Sequence, residues 1–158
     1  MKQINKDKGY KEFLVFTSFA ESCGGLFNLS SIMNRKPPEP DILCSTSDGQ
    51  MIAFELFEIL DENYAEQFST TNTGVFAGWS DDPSERKLLK KFGNNNYRSN
   101  YPIELLAYLD HTPRIPADIF KSKINNFLNS REGYGVFRKI WVFDVQAKKV
   151  LLQYKPQN

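Results

Sequence analysis

Residues 40–59 read PDILCSTSDGQMIAFELFEI, and this stretch decides the fold. The triplet at 47–49, Ser-Asp-Gly, is a turn signal between two apolar runs, which predicts a β-hairpin. The second run, 51–59, is apolar on both of its alternating faces except at Glu55 and Glu58. Strands that are apolar on both faces belong in the middle of a covered sheet. The hairpin therefore predicts a sheet with helices on both sides.

Helices and strands alternate around this hairpin. Apolar spacing predicts a helix over 10–22, ended by two glycines, and residues 82–85 have the form of a helix start, with the helix ending at Gly93. The other predicted elements are a short helix at 61–69, a connection at 70–80, a strand at 103–109, a helix from Pro116, and final strands at 139–143 and 150–154. Strands separated by helices predict a mixed central sheet flanked by helices, an α/β sandwich.

Length and charge limit the kind of protein. With 158 residues the chain has single-domain size, so one domain over 1–158 is predicted. Lys and Arg number 20 against 19 for Asp and Glu, so attraction to nucleic acid must come from a local basic patch. The N-terminus lacks the apolar run of a secretory signal, and no stretch approaches the ~20 apolar residues of a membrane span. We therefore expect a cytoplasmic protein with no membrane partner.

Glu55 is a charge in a strand that should otherwise be dry on both faces. A buried carboxylate needs a cation, a network of donors or a raised pKa. A three-residue loop at 47–49 pairs Thr46 with Gln50, and counting outward from that pair places Asp41 across from Glu55. Cross-strand neighbours have β-carbons ~4.5–5.5 Å apart, so the two carboxylates would form a pair. A divalent cation could bind such a pair.

Two alternatives to this pair stay open. A two-residue Asp-Gly turn would shift the register by one and send Asp41 to the face opposite Glu55. In the other alternative, Asp41 caps the start of the strand and Glu55 pairs with a nearby Lys or Arg.

The proline-rich segment 37–40 cannot be helical, and it predicts an extended lead into a strand at 41–44.

The order Pro40-Asp41, hairpin, Glu55-Leu56-Phe57 resembles the PD-(D/E)XK, or restriction-endonuclease-like, nuclease superfamily. The helix before the hairpin and the covered strand and helix after it also fit. The resemblance implies a restriction-endonuclease-like sandwich in which Asp41 and Glu55 hold Mg²⁺ (or Mn²⁺) for hydrolysis of DNA phosphodiesters. It also implies a Lys two residues after the Glu, to orient the nucleophile and offset charge. That position is Phe57, which can neither donate a hydrogen bond nor carry charge.

Other side chains are therefore candidates for the role of the missing lysine. Those on later predicted helices that could reach the metal face are Gln67, Lys87 and Lys90. Glu58 cannot take this role, because strand alternation turns it away from Glu55. It is expected to cap or pair on the other face.

A basic helix and the loop after it carry the candidate nucleic-acid contacts. Residues at i, i+1, i+4 and i+5 form one cationic stripe, consisting of Arg86, Lys87, Lys90 and Lys91. The loop adds Tyr97, Arg98 and Tyr101. The cations would neutralise phosphates and the tyrosines would stack on exposed bases. The alternative is a solvated helix face beside a flexible loop.

The sequence thus favours a Mg²⁺-dependent nuclease-like domain whose predicted partners are nucleic acid, chiefly DNA, and a second copy of the chain in a homodimer. A catalytically inactive member of the fold that binds nucleic acid or a partner protein is the second hypothesis, and Phe57 favours it. A structural module without a role on nucleic acid is the third. The single histidine, His111, is assigned to a loop and not to catalysis.

Overall fold

A computed structural model describes residues 2–59, 83–110, 117–129 and 133–156 of the chain. The helices are α1 (Lys2–Ser22), a 3₁₀ turn (Leu29–Ser31), α2 (Pro83–Gly93) and α3 (Ala117–Asn129). The strands are β1 (Met33–Asn34), β2 (Ile42–Ser45), β3 (Met51–Glu58), β4 (Ile103–Leu109), β5 (Phe137–Asp144) and β6 (Lys149–Tyr154). The predicted α/β class is confirmed.

The strands of the described residues form one mixed sheet in the order β1-β2-β3-β4-β5-β6. The central strands β3, β4 and β5 are parallel, whereas β1–β2, β2–β3 and β5–β6 pair in antiparallel fashion. Parallel neighbours need a crossover connection, which contains α2 between β3 and β4 and α3 between β4 and β5. The connections therefore place a helix beside each parallel step.

Each face of the sheet carries its own core. Side chains of α2 and α3, such as Leu88 and Leu128, pack with Leu105 on one face, which we call the α2/α3 face. On the other face, Phe16 and Phe19 of α1 pack with aromatic residues of β3 and β5. The ring centroids of Phe16 and Phe54 are 4.7 Å apart and those of Phe19 and Trp141 are 5.0 Å apart. Helices therefore cover both faces, as predicted.

Most predicted boundaries agree with the described elements to within a few residues, but α1 begins at Lys2 and not at residue 10, and the 3₁₀ turn and β1 were not predicted. For the segment 37–40, the prediction of an extended lead into the strand is wrong. The Glu39 N–H donates to the Lys36 carbonyl at 3.0 Å, which closes a four-residue turn, so the chain reverses here. The predicted elements at 61–69 and 70–80 lie outside the described residues.

None of the helices in the described ranges combines the length and the apolar character needed to cross a bilayer.

Candidate active site

The hairpin has the register that places Asp41 across from Glu55. The Thr46 N–H donates to the Gln50 carbonyl at 2.8 Å, and Gly49 closes the three-residue loop with a φ of 91°. The last strand pair of the ladder is Ile42 with Phe54, so the next pair outward is Asp41 with Glu55. The prediction of a three-residue loop is confirmed, and the two-residue turn is excluded.

Both carboxyl groups project from the α2/α3 face. Leu43 and Ala53, which are two residues inward on each strand, belong to the core of that face, and side chains two apart on a strand share a face. The carboxyl groups of Asp41 and Glu55 are in hydrogen-bonding contact. Because β2 begins only at Ile42, the Leu56 N–H donates to Asp41 Oδ2 at 2.9 Å in place of a strand partner. Asp41 thus also caps the ladder, as the alternative reading expected.

Glu55 has two further partners from the segment after β3. Lys91 Nζ of α2 donates to Glu55 Oε2 at 3.1 Å. The Tyr97 hydroxyl, in the loop after α2, lies close enough to the Glu55 carboxyl to lower its pKa. Glu55 is only 6 % exposed, so this is a buried carboxylate with an ammonium as its hydrogen-bond donor and a hydroxyl nearby. The expected pairing of Glu55 with a nearby Lys is therefore present together with the carboxyl pair.

A third carboxyl group, Glu12 of α1, adjoins the pair. It is 6 % exposed and forms a hydrogen-bonding contact with Asp41. Its Oε2 atom has no donor among the described residues, and Lys8 Nζ lies 4.0 Å from Oε1. The sequence contained a signal for this residue: Glu12 stands four positions before Phe16, on the stripe of α1 that packs on the sheet. An acidic residue on that stripe marks the point where the helix reaches the edge of the apolar core.

Burial and crowding of like charges raise the pKa of the two paired acids. Burial, followed by contact with Asp41, raises the pKa of Glu55 to about 7, against opposing effects of Lys91 and Tyr97. Burial also raises the pKa of Asp41, as does Glu12, while contact with Glu55 and the Leu56 N–H lower it. Contact thus favours the charged form of Asp41 and the neutral form of Glu55, so below about pH 7 a proton shared by the pair resides on Glu55.

A cleft of about 450 Å³ lies beside the carboxyl cluster, between α1 and α2 at the second half of β3. Its walls carry lysines from both helices, Lys8 and Lys11 from α1 and Lys87 and Lys91 from α2. Glu12, Leu56 and Lys91, which line the cleft, are also the direct neighbours of Asp41 and Glu55. The paired carboxyls therefore lie one layer behind the surface of this cleft.

Glu58 points away from Glu55, as strand alternation predicts. Its carboxylate pairs with Lys11 Nζ of α1 at 3.1 Å, and the same ammonium lies 3.5 Å from Asp110 Oδ2. The prediction that Glu58 pairs on the other face is confirmed. Lys11 is therefore committed to a structural ion pair, whereas Lys87 forms no ion pair with other described residues.

The predicted cationic stripe is divided in the folded chain. Arg86, Lys87 and Lys90 are exposed, whereas Lys91 is turned inward and its side chain is 28 % exposed. Tyr97 is also turned inward, with its ring 5.8 Å from that of Phe137. The predicted contacts of these residues with nucleic acid stay predictions. The sequence-predicted candidates Gln67 and His111 lie outside the described residues.

Arg98 lies on a second depression, which we call the Arg98 pocket. Its volume is about 290 Å³, and it is lined by Arg35, Glu39, Pro40, Leu43, Ala53, Arg98, Ser99, Asn100 and Tyr101. Leu43 and Ala53 follow Asp41 and Glu55 inward along the same face of the hairpin. The carboxyl pair therefore has a depression on each side.

The donor set is small but suits a hard cation. Among the described residues no group of three or more His, Cys, Asp or Glu side chains is arranged to hold a metal ion. Mg²⁺, however, retains several waters and commonly binds proteins through one or two carboxylates. The Asp41 and Glu55 carboxylates meet this minimum once their shared proton is lost. The unpartnered Oε2 of Glu12 adds negative potential next to Asp41.

Comparisons with protein-family models, with curated proteins and with solved structures found no match for this chain.

Proposed function

We propose that this chain is a metal-dependent nuclease-like domain that hydrolyses DNA phosphodiesters, with Asp41 and Glu55 as ligands of Mg²⁺ or Mn²⁺. One observation carries the proposal. The buried carboxyl group of Glu55 and the half-buried carboxyl group of Asp41 face each other across the hairpin, and they adjoin a cleft with lysines on both walls.

The charge balance supports a cation at this position. Asp41 lies beside two other carboxyl groups, those of Glu12 and Glu55, and among the described residues Lys91 donates a hydrogen bond to Glu55. Two like charges at short range repel by up to ~4 kcal/mol at an effective dielectric near 20. A shared proton relieves this repulsion at low pH, and a divalent cation would relieve it at neutral pH.

The bound ion would supply Lewis-acid polarisation of a phosphate oxygen and a more acidic water. The chain's own residues would act on the substrate around it. Lys91 reaches Glu55 from α2, so among the described residues its ammonium could replace the charge that Phe57 lacks. Lys87 and Lys8 on opposite walls of the cleft would hold phosphate oxygens by charge.

A second candidate function is a nuclease-like fold that binds nucleic acid or a partner protein without cleaving it. The observation that favours it is Phe57, which is 5 % exposed and packs in the core of the α2/α3 face. In addition, Lys91 is already engaged by Glu55. Under this second function, the carboxyl pair would have a structural role and would share a proton instead of binding a metal ion.

A cleavage assay with matched variants tests the proposal. Wild type, Asp41→Asn and Lys91→Met are incubated with labelled single-stranded and duplex DNA and increasing Mg²⁺ or Mn²⁺. Cleavage that requires the metal, disappears in Asp41→Asn and falls at least ~100-fold in Lys91→Met would support the enzyme, since electrostatic stabilisation by one donor is typically worth that much. Glu21→Gln, which changes an exposed acid on the same helix as Glu12, serves as the control and should cleave like wild type.

The same samples separate the two candidates. Metal binding or DNA binding without cleavage on any substrate would favour the inactive fold. Cleavage that persists unchanged in Asp41→Asn would reject the proposed site.

A further inference from the structure

The Arg98 pocket combines apolar and cationic surfaces in one small volume. Leu43 and Ala53 are buried at its base, while the rim carries Arg98 and the ring of Tyr101, which is 42 % exposed. A volume of about 290 Å³ is at the low end of the range for ligand pockets, ~300–1,000 Å³. The pocket thus suits a single planar ring with an attached anion and leaves no room for a base pair.

Two arginines line this pocket, and Arg98 is the one whose charge is not neutralised by a described acidic residue. Arg35 donates to Glu39 Oε1 at 2.6 Å and is largely neutralised by it. Arg98 forms no ion pair with other described residues, and its side chain is exposed. A guanidinium presents five donors that match a phosphate bidentately. An anion entering the pocket would therefore be held at Arg98.

The walls of the pocket are fixed before any ligand arrives. The Arg98 N–H donates to the Pro38 carbonyl at 3.0 Å, which ties the loop to the turn before Asp41. The Ser99 hydroxyl donates to the Tyr101 carbonyl and accepts from the Tyr101 N–H, both at 3.0 Å. The Ala53 N–H donates to the Pro102 carbonyl at 2.9 Å. Such preorganisation lowers the entropic cost of binding.

The position of the pocket relates it to the carboxyl pair. Leu43 and Ala53 pair with each other two residues inward from Asp41 and Glu55, a separation of roughly 7 Å at ~3.4 Å per residue. The loop serves both places, since the Tyr97 hydroxyl contacts Glu55 while the next residue, Arg98, lines the pocket. A strand held at the carboxyl pair would therefore extend directly into the Arg98 pocket.

We propose that the Arg98 pocket receives one unpaired nucleotide, next to a phosphodiester held at Asp41 and Glu55. Its base stacks on Tyr101 over the apolar base of the pocket, and its phosphate binds Arg98. This assignment rests on the proposed nuclease function and narrows its substrate class to single-stranded DNA or an unpaired DNA end.

Binding of a mononucleotide tests the pocket without cleavage. Thymidine monophosphate is titrated into ¹⁵N-labelled protein in EDTA, with thymidine and inorganic phosphate as separate probes. We expect amide shifts at Ala53 and at 98–101, and affinity for the monophosphate above that for either part alone. Shifts confined to the lysine-lined cleft beside Glu12, or no shifts at all, would overturn the assignment.

Variants identify the residues responsible. Loss of a stacked base or of a bidentate phosphate contact should weaken binding about tenfold, so we expect this loss in Arg98→Ala and Tyr101→Ala and near wild-type binding in Tyr101→Phe. Lys121→Ala, an exposed cation on α3, is the control for general charge loss. If Arg98→Ala and Lys121→Ala weaken binding equally, the pocket is not the site.

Failure of the pocket assignment and failure of the proposed function give different results. Mononucleotide binding without metal-dependent cleavage would retain the pocket and reject the nuclease. Metal-dependent cleavage of duplex and single-stranded DNA alike, with no effect of Arg98→Ala, would retain the nuclease and reject the pocket.

Discussion

Asp41 and Glu55 face each other one position beyond the last paired residues of the β2–β3 ladder, and their carboxyl groups share a hydrogen-bonding contact. Burial and this contact raise the pKa of Glu55 to about 7. Because Glu55 loses its proton only near neutral pH, the protonation of this pair should affect folding stability, metal binding and the ion pair with Lys91.

The first prediction concerns stability against pH. The ordinary pKa of Glu55 is 4.5 and its folded value is about 7. Between these values the native state binds more protons than the unfolded state, so the free energy of unfolding falls as the pH rises through this window. The loss should be on the order of 2 kcal/mol between about pH 5 and pH 8 in EDTA.

Urea unfolding of wild type and Glu55→Gln at both pH values measures this loss. Glu55→Gln has no proton to release and should lack that part of the pH dependence. Glu21→Gln is the exposed control and should follow wild type. Parallel stability curves for wild type and Glu55→Gln would show that Glu55 is ionised in the folded protein.

The hairpin and its register could be predicted from the sequence because the residues that determine them lie within the hairpin itself. The Ser-Asp-Gly triplet at 47–49 set the loop length, and the apolar alternation of 51–59 set the faces, so the register of Asp41 and Glu55 followed by counting. The turn at 36–39 could not be predicted, because a proline-rich segment is compatible with both an extended and a reversed chain.

The partners of the carboxyl pair could not be derived in the same way. Contacts of Glu12 and Lys91 depend on how α1 and α2 dock on opposite faces of the sheet, which no local pattern specifies. Lys91 lies three residues after the buried Leu88, so helical phase places it at the margin of the packed face. Whether Gln67, Lys87 or Lys90 takes the role of the missing lysine stays a prediction.

The second prediction separates Lys91 from its exposed neighbour on α2. Removing the Lys91 ammonium leaves the Glu55 carboxylate without its cation, so Lys91→Met should raise the pKa of Glu55 further. It should also lower the free energy of unfolding at about pH 8 by about 1–2 kcal/mol, and by less at about pH 5, where Glu55 holds a proton. Lys90→Met removes an exposed charge and should change stability by less than ~0.5 kcal/mol.

Denaturant unfolding of both variants at the two pH values makes this comparison. Equal effects of Lys90→Met and Lys91→Met would mean that the ion pair with Glu55 contributes nothing beyond surface charge. A loss that is larger at the lower pH would contradict the sign of the proposed coupling.

The third prediction concerns competition between a proton and a metal ion. A ligating carboxylate must be deprotonated, so the apparent affinity for Mn²⁺ should fall about tenfold per unit as the pH drops below about 7. Calorimetric titration with Mn²⁺ at several pH values measures this dependence together with the protons released. Binding that is independent of pH between about 5 and 8 would place the ion elsewhere. Asp41→Asn should weaken binding at every pH, whereas Glu21→Gln should not.

The fourth prediction tests how α2, and with it Lys91, is held against the sheet. Gly135 has a φ of 62°, and a β-carbon added there would overlap the carbonyl oxygen of Phe92, one residue after Lys91. Gly133 has a φ of 101°, but a β-carbon added there would meet no atom of the described residues within 4 Å. Both Ala substitutions carry the cost of a left-handed backbone, ~1–2 kcal/mol. Gly135→Ala must in addition push the C-terminal turn of α2 away, so it should lower the free energy of unfolding clearly more than Gly133→Ala does.

Gly135→Ala should also shift the pKa of Glu55, measured by NMR titration of its carboxyl carbon, because the ammonium of Lys91 would move with the helix. Equal stability losses and an unchanged Glu55 titration in the two variants would show that the position of Lys91 does not depend on this contact.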